Sequence, residues 1–364
     1  SLLGESLLRQ GEPDRAADVL QTALEEADTL DLPVVAARTH FRIGRAFLRT
    51  CEMGRAFEHL ESAAKAFEQL ERHDEALRAF CTYGEAAYGS LQFGLAKYCF
   101  NQGRTHAGET RHFDDQFPTL GLARTFAAAG RFDRAADCID EPDAPERATR
   151  TPVRRVFWSC HRGDLFLAHG AFPAALDNYE QMKEHARQIG RTDLYLQALV
   201  RAGCTHFHAG RGEATSKCFR KATDFTSKYG DRERQFATRA TALFLQSASQ
   251  GFPARADSLA ELLEQSRDSE FPWAQALCQL YLADIRAANG ARPAARELLE
   301  RSLRQSGNAG QFQLFAPLND RLERLDAIEH GNPADTPNEG HLIGGPLPPF
   351  VGNLSCDKLY GDAE

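Results

Sequence analysis

The sequence predicts an all-α protein, an α-solenoid in which about eight helix pairs stack into a right-handed superhelix. The main observation is a small residue, glycine or alanine in most copies, that recurs every 39 to 41 residues. We call these positions the markers, and they are Gly4, Gly44, Gly84, Ala123, Gly163, Gly203, Phe244 and Ala283. A fixed period of this length indicates a repeat protein built from stacked helical units.

Two further positions keep the same register in nearly every copy. A second small residue follows each marker by 12 residues, at Ala16, Ala56, Ala96, Ala135, Ala175, Ala256 and Ala295, with Thr215 as the exception. A bulky residue follows each marker by 16 residues, at Leu20, Leu60, Phe100, Ile139, Tyr179, Phe219 and Leu299, with Ala260 as the exception. Each copy therefore contains a first helix that carries the marker and a second helix that carries the other two positions.

Glycines and prolines predict where these helices end and begin. Six copies have a glycine seven residues after the marker, which would end the first helix: Gly11, Gly130, Gly170, Gly210, Gly251 and Gly290. A proline two or three residues later suits the first turn of the second helix, at Pro13, Pro173, Pro253 and Pro293. Four other prolines are expected in the connection before the next first helix, at Pro33, Pro118, Pro152 and Pro272.

The first three copies show the pattern most clearly, as "LGESLLRQGEPDRAADVLQTALEEA", "IGRAFLRTCEMGRAFEHLESAAKAF" and "YGEAAYGSLQFGLAKYCFNQG". This order of small and bulky residues resembles the tetratricopeptide repeat, and the resemblance covers residues 1 to about 305. The period near 40 is longer than the usual 34. It is similar to the long-repeat subclass found in the sensor arms of bacterial signalling ATPases and in cytoskeletal and polarity adaptors.

The fourth copy departs from the pattern in its second helix. There "DEPDAPERATRTPVRR" (140–155) replaces the expected amphipathic run with prolines and charges. Such a segment would bend or loosen the superhelix. The sequence therefore predicts two halves, residues 1–150 with repeats one to four and residues 151–308 with repeats five to eight.

Both ends of the chain differ from the repeats. Residues 309–331 predict a capping helix that covers the last repeat, with Pro317 in its first turn and apolar positions at Phe312, Phe315, Leu318, Leu322 and Leu325. Residues 332–364 predict an irregular, acidic tail rich in proline and glycine. Since Ser1 would lie inside the first helix of copy one, we expect the chain to be the C-terminal part of a longer protein.

Composition excludes several classes of protein. The 364 residues carry a net charge of −8, so the overall balance attracts neither nucleic acid nor an anionic membrane. No apolar run is long enough to span a membrane, and the first residues do not form a signal peptide. The nine cysteines are scattered through amphipathic patterns, which favours buried thiols in a reducing compartment. We therefore expect a cytoplasmic protein.

Motifs for catalysis or for a cofactor are absent from the sequence, including phosphate-binding and dinucleotide-binding glycine loops, HExxH and GxSxG. The nearest approach to a metal site is Cys204, His206 and His208. On a helix, Cys204 and His208 share a face, whereas His206 points away and takes a core position of the repeat. Two ligands do not complete a tetrahedral zinc site. We predict no enzyme activity, no metal and no cofactor.

The resemblance implies that the first helices line the concave side of the solenoid, the usual peptide-binding groove of such proteins. The candidate peptide-binding residues, chosen by their distance from the markers, are Arg38, Phe41, Arg42, Arg45, Arg49, Arg78, Tyr88, Arg124, His161, Arg201 and Phe207. Four of these arginines lie in "ARTHFRIGRAFLRT" (37–50) at spacings of four, three and four, which puts them on one stripe of a helix.

Two interpretations of this stripe stay open. In one, the arginines pair with acids of the solenoid itself, such as Glu5 and Glu85, and their stems cover apolar surface. In the other, they bind an acidic peptide, a phosphorylated segment or a C-terminal carboxylate, groups that arginine holds through paired hydrogen bonds.

The tail is itself a candidate ligand, because it carries five acids against the single Lys358 and its "GGPLPPF" favours an extended conformation. We hypothesise that it occupies the groove of its own chain or of a neighbour. The predicted function is a non-catalytic scaffold that binds protein or peptide partners. The alternative is a ligand- or peptide-sensing arm of a larger signalling protein, such as an ATPase, a kinase or a transcription regulator.

Overall fold

The computed structural model describes residues 3, 4, 6, 7, 12–109, 116–139, 152–229, 232–250, 256–267, 272–308 and 314–329. Within these residues the regular elements are sixteen α-helices: α1 Pro13–Thr29, α2 Pro33–Arg49, α3 Met53–Gln69, α4 His73–Gly89, α5 Phe93–Glu109, α6 Gln116–Ala128, α7 Phe132–Ile139, α8 Pro152–Ala168, α9 Phe172–Gln188, α10 Thr192–His208, α11 Gly212–Tyr229, α12 Arg232–Gln250, α13 Ala256–Arg267, α14 Pro272–Ala288, α15 Arg292–Asn308 and α16 Phe315–Glu329. Sequence neighbours pack against each other as helix pairs.

The marker is small because the second helix presses a bulky side chain onto it. A Cβ atom on Gly44 would lie 2.7 Å from Cγ of Leu60, and one on Gly163 would lie 2.5 Å from Cε1 of Tyr179. The alanines 12 residues after the markers are fully buried at Ala16, Ala56, Ala96, Ala135, Ala175 and Ala295. The repeat register therefore follows from close packing inside each helix pair.

The seventh copy reverses the sizes. Its marker is Phe244, while the residue 16 positions later is Ala260. Phe244 is fully buried and stacks on Tyr281 of α14 with ring centroids 4.4 Å apart. The Tyr281 hydroxyl lies 3.2 Å from the Thr241 hydroxyl of α12, so this link between two first helices is also hydrogen-bonded.

The turns between helices contain a residue with left-handed backbone conformation, as the turn glycines predict. Gly130, Gly170, Gly210 and Gly290 have φ between 68° and 79°. In the second and third copies the same position is held by Cys51 (φ 62°) and Leu91 (φ 59°). The turn after α3 likewise has Glu71 at φ 52°. Its amide N–H donates to the Glu68 carbonyl, and the Arg72 N–H donates to the Phe67 carbonyl, which ends the helix.

We expect Glu71→Gly to raise the free energy of unfolding by about 0.5–1 kcal/mol, because left-handed backbone costs a residue with a Cβ more than it costs glycine. The Glu71 side chain is exposed, so few contacts are lost. Urea denaturation measures the change. Glu58→Gly, in the exposed interior of α3, is the matched control and should lower the free energy of unfolding by about 1 kcal/mol. Equal losses in the two variants would contradict this interpretation of the turn.

Several boundaries differ from those expected. Pro33, Pro152 and Pro272 are the first residues of their helices and Pro118 is the third residue of α6, rather than parts of the connections. A proline fits there because the first-turn N–H groups have no partner inside the helix. The last helix begins at Phe315 and contains Pro317 in its first turn, as predicted.

Some expectations lie outside the described residues, namely those for Gly11, Gly251, Pro253, Phe312, residues 140–151 and the tail 332–364. The second helix of the fourth copy, α7, has eight residues and ends at Ile139, where the sequence departs from the repeat. None of the described helices has the length and apolarity needed to cross a bilayer.

The chain divides into two compact units. Unit 1 contains α1 to α7 together with residues 306–308 and 314–316, and unit 2 contains α8 to α14, α15 up to Gln305 and α16 from Pro317. One core cluster of unit 1 lies between α1, α2, α3, α4 and α5 and includes Leu20, Ile43, Phe47, Leu60 and Tyr83. These side chains are almost entirely removed from water, and their burial is the main stabilising term of the unit.

A short segment from later in the chain completes unit 1. The Phe315 side chain is fully buried, and a Cβ atom on Gly89 would lie 3.0 Å from that of Phe315. Likewise, a Cβ atom on Gly307 would lie 2.6 Å from the Arg49 carbonyl oxygen at the end of α2. A residue larger than glycine at position 89 would clash with Phe315, and one at position 307 would clash with the Arg49 carbonyl.

Candidate functional site

Helix α2 carries four arginines and no acidic residue. Its buried side includes Ala37, Ile43 and Phe47, while Arg38 is exposed and Arg42, Arg45 and Arg49 are half-buried. The arginines therefore follow one side of the helix, as the spacing predicts. The Arg45 guanidinium lies 5.9 Å from the centre of the half-buried Phe41 ring, within the range of a cation–π contact.

The outermost of these arginines pairs with the next first helix. Arg38 Nη2 donates to Oε1 of Glu75 on α4 at 3.0 Å, and the same carboxylate accepts from Arg72 at 2.6 Å. Burial raises the pKa of Glu75, but the hydrogen bonds from Arg72 and Arg38 outweigh it, so the pKa lies below its usual value. Glu75 is therefore ionised at neutral pH and orients two guanidinium groups.

A second link of this kind joins α4 to α6. Arg124 Nη2 donates to Oε1 of Glu85 at 2.5 Å, and the guanidinium lies 4.4 Å from the centre of the Tyr88 ring. All three side chains are half-buried. Arg78 of α4 is half-buried as well. Unit 1 thus presents arginines and aromatic rings on three successive first helices.

In unit 2 the corresponding arginine is buried. Arg201 of α10 is only 3% exposed, and its Nε donates to Asp164 of α8 at 2.9 Å. The Tyr179 hydroxyl donates to the same carboxylate at 2.7 Å. Burial raises the pKa of Tyr179, and the adjacent Asp164 raises it further, so the phenol stays protonated. Arg201 therefore links two first helices inside the protein.

A pair in the same register lies further along unit 2. Arg321 of α16 donates through Nε to both carboxylate oxygens of Asp284 on α14, at 2.9 and 3.0 Å. In both cases the acid follows the marker by one residue and the arginine follows the acid by 37 residues. The spacing of 37 residues is present in the sequence, but the pairing of Asp284 with Arg321 joins two copies and does not follow from the distance of either residue to its own marker.

The remaining candidates also lie on first helices. His161 is half-buried on α8, and Phe207 is half-buried on α10 with its ring edge-on to His208. Cys204 is buried, and burial raises the pKa of its thiol to about 12. Among the described residues, no three side chains of the metal-binding types come together to hold an ion.

No protein-family model and no curated protein matches the sequence. Solved structures do match the fold. A Rap protein complexed with Competence and Sporulation Factor shares 11% sequence identity with a TM-score of 0.50, over 85% of this chain and 97% of that one. The apo form of the quorum sensor NprR from B. thuringiensis shares 12% identity with a TM-score of 0.51, over 83% and 87%. The TPR-like fold of paired helices predicted from the repeat is confirmed.

Proposed function

We propose that the chain is a non-catalytic peptide-binding protein and that its ligand is an acidic peptide bound to unit 1. The binding surface, which we call the basic face, consists of Arg38, Phe41, Arg42, Arg45, Arg49, Arg78, Tyr88 and Arg124. The observation that carries this proposal is α2, which has four arginines on one side and no acidic residue in its sequence. The Rap protein supports it, because that similar fold was solved with a bound factor.

The energies of the observed ion pairs favour unit 1 over unit 2 for charge recognition. A solvent-accessible pair such as Arg38 with Glu75 contributes about 0–1 kcal/mol to the stability of the protein. A ligand carboxylate that accepts from Arg38 in place of Glu75 therefore costs the protein little free energy. The pair of Arg201 with Asp164 is different, because Arg201 is buried and removing the half-buried Asp164 would leave a buried charge without its partner, which costs about 3–5 kcal/mol. Arg201 is thus held by the packing of unit 2 and is not part of the basic face.

Aromatic side chains give the basic face a second kind of contact. Phe41 and Tyr88 are half-buried and each lies beside an arginine. Arginine and tyrosine are the residue types that most often dominate the energy of an interface. We infer that the ligand alternates acidic and apolar or aromatic side chains. His161 and Phe207 of unit 2 stay candidates for contacts to a longer ligand.

The chain's own tail is the first ligand to test. We expect deletion of residues 332–364 to increase the affinity for a labelled synthetic peptide of that sequence by about tenfold, because the linked tail competes at a high local concentration. Fluorescence anisotropy measures the affinity. The matched control keeps the tail and changes its acids by Asp335→Asn, Glu339→Gln, Asp357→Asn, Asp362→Asn and Glu364→Gln; it should match the deletion. Equal affinity of the wild-type and deleted chains would refute the tail as a competitor.

A scaffold and a sensing arm would use this face in the same way and differ in what is joined to it. The quorum sensor NprR, which has a similar fold, favours keeping the sensing arm as the second candidate. The coding sequence upstream of Ser1 distinguishes the two. A nucleotide-binding or DNA-binding motif there would establish the sensing arm, and further repeats would favour the scaffold. The eight cysteines of the described part are free thiols, which suits the proposed cytoplasmic location.

A further inference from the structure

Two pairs of histidines in unit 1 face each other through the same ring nitrogen. His40 of α2 and His59 of α3 have their Nδ1 atoms 3.0 Å apart, and His73 of α4 and His106 of α5 have theirs 3.2 Å apart. The ring centroids are 5.1 and 5.5 Å apart. Each pair joins the first helix of one repeat to its second helix, and the two repeats are neighbours.

A hydrogen bond between two Nδ1 atoms needs a proton on one of them and a lone pair on the other. A pair with one ring protonated keeps this bond, because the charged ring donates to the neutral ring. A pair with both rings protonated places two N–H donors and two positive charges about 3 Å apart. The second proton therefore binds only if the contact between the two Nδ1 atoms breaks.

The surroundings of the first pair hold it mostly uncharged. Burial lowers the pKa of His40, and Asp28 of α1 opposes this only in part. Burial also lowers the pKa of His59, and the positive groups His40 and Arg55 lower it further, against Glu58. Both histidines thus have pKa values below the usual 6.5.

The second pair has a comparable environment. Burial lowers the pKa of His106, and His73 adds to this effect, whereas the Glu68 carboxylate, 3.6 Å from His106 Nε2, raises it. The net pKa lies below the usual value. The His106 ring also stacks on Phe80 of α4 at 5.6 Å, so its position is fixed by the core as well as by His73.

We propose that the two histidine pairs form a proton-operated latch that holds α2 on α3 and α4 on α5, and that acidification opens it. Helices α2 and α4 carry seven of the eight residues of the basic face, so opening the latch would release the ligand. The release of the ligand rests on the proposed function. The loosening of the two helix pairs does not.

The direction of the pH effect follows from proton binding. Above pH 6.5 the folded chain binds few protons at His40, His59 and His106, whose pKa values lie below 6.5, and the unfolded chain binds few as well, so the full stability is present. As the pH falls below 6.5, the unfolded chain binds two protons per pair and the folded chain binds fewer. Stability is therefore lost toward acid pH, and each missing proton multiplies the unfolding equilibrium constant by about ten per pH unit. His185, His206 and His208 of unit 2, whose pKa values burial also lowers, act in the same direction.

The test compares the full chain with the double variant His59→Asn plus His106→Asn. Asparagine places an amide near the Nδ1 position and does not titrate. Urea denaturation at pH 7.5, 6.5 and 5.5 gives the unfolding equilibrium constants. Between pH 7.5 and 5.5 we expect this constant to rise at least about tenfold more in the wild type than in the double variant. The control His169→Asn, at an exposed position, should keep the wild-type slope. If the unfolding equilibrium constants of the wild type and the double variant changed with pH to the same extent, the proposed latch would be refuted.

A measurement on the unaltered chain covers the case in which the double variant does not fold. Nuclear magnetic resonance of ¹⁵N-labelled histidines follows each ring during a pH titration. We expect each pair to take up its two protons in two steps at least about one pH unit apart, because the rings interact strongly. Four rings that titrate independently near pH 6.5 would refute the latch.

Ligand release is measured separately, with the labelled peptide 332–364 carrying His341→Gln. Binding at pH 7.5 that is lost at pH 5.5 in the wild type, and kept in the double variant, supports release through the latch. If the wild type still binds the peptide at pH 5.5, the proposed release of the ligand by acidification is refuted. If the peptide and an unrelated acidic peptide fail to bind at pH 7.5, the proposed function fails, whereas the unfolding profiles still decide whether the latch exists.

Discussion

Replacing Arg321 with leucine should lower the free energy of unfolding by about 3–5 kcal/mol at pH 7.5. Arg321 and Asp284 are 5% and 4% exposed, and the arginine Nε contacts both carboxylate oxygens. Leucine fills part of the space but leaves the buried Asp284 carboxylate without the arginine that contacts it. The cost is large because a buried charge that loses its hydrogen-bonding partner is not compensated by water.

The pH dependence of this variant identifies the cause. Burial raises the pKa of Asp284, and Arg321 opposes that rise. Without Arg321 the pKa rises further, so the folded variant keeps a proton that the unfolded chain releases above about pH 4. The variant therefore loses stability as the pH rises, and we expect a smaller deficit at pH 5 than at pH 7.5 by urea denaturation. Asp284→Leu plus Arg321→Leu removes both charges and should recover most of the loss. A single variant as stable as the double one at both pH values would contradict this.

The repeat register was predictable because it depends on contacts between helices that are adjacent in sequence. Gly163 is small since Tyr179, 16 residues later, packs directly on it. The turn geometry was predictable only where glycine marks it. Cys51 and Leu91 adopt the same left-handed backbone as the turn glycines. Their residue types give no sign of this, because the packing of the flanking helices imposes the conformation.

The candidate site was predictable as a set of positions and not as a set of contacts. Arg38 and Arg201 are both arginines shortly before a marker, six residues before Gly44 and two residues before Gly203. In the structure Arg38 has a side chain that is 49% exposed, whereas Arg201 is buried on Asp164. The histidine pairs were not predictable, since their separations of 19 and 33 residues follow no repeat.

The second large effect concerns the basic face. Changing Arg42→Glu and Arg45→Glu together should weaken binding of the labelled peptide 332–364 by about a hundredfold, or ~2.7 kcal/mol. Both arginines are half-buried, so salt screens their attraction for a ligand less than it screens fully exposed charges. Each substitution removes an attraction and adds a repulsion for acidic groups. The circular dichroism of the variant should stay that of the wild type, because both side chains point away from the buried side of α2.

Fluorescence anisotropy of this peptide, added to the tail-deleted chain with and without the two α2 substitutions, tests the central claim most directly. The control reverses the same amount of charge elsewhere in unit 1, through Arg131→Glu and Arg134→Glu at the exposed start of α7, a second helix. If the basic face binds the peptide, the α2 variant loses affinity by about two orders of magnitude and the α7 variant by less than about threefold. Equal affinities of the α2 and α7 variants would contradict the claim that the first helices of unit 1 bind the ligand.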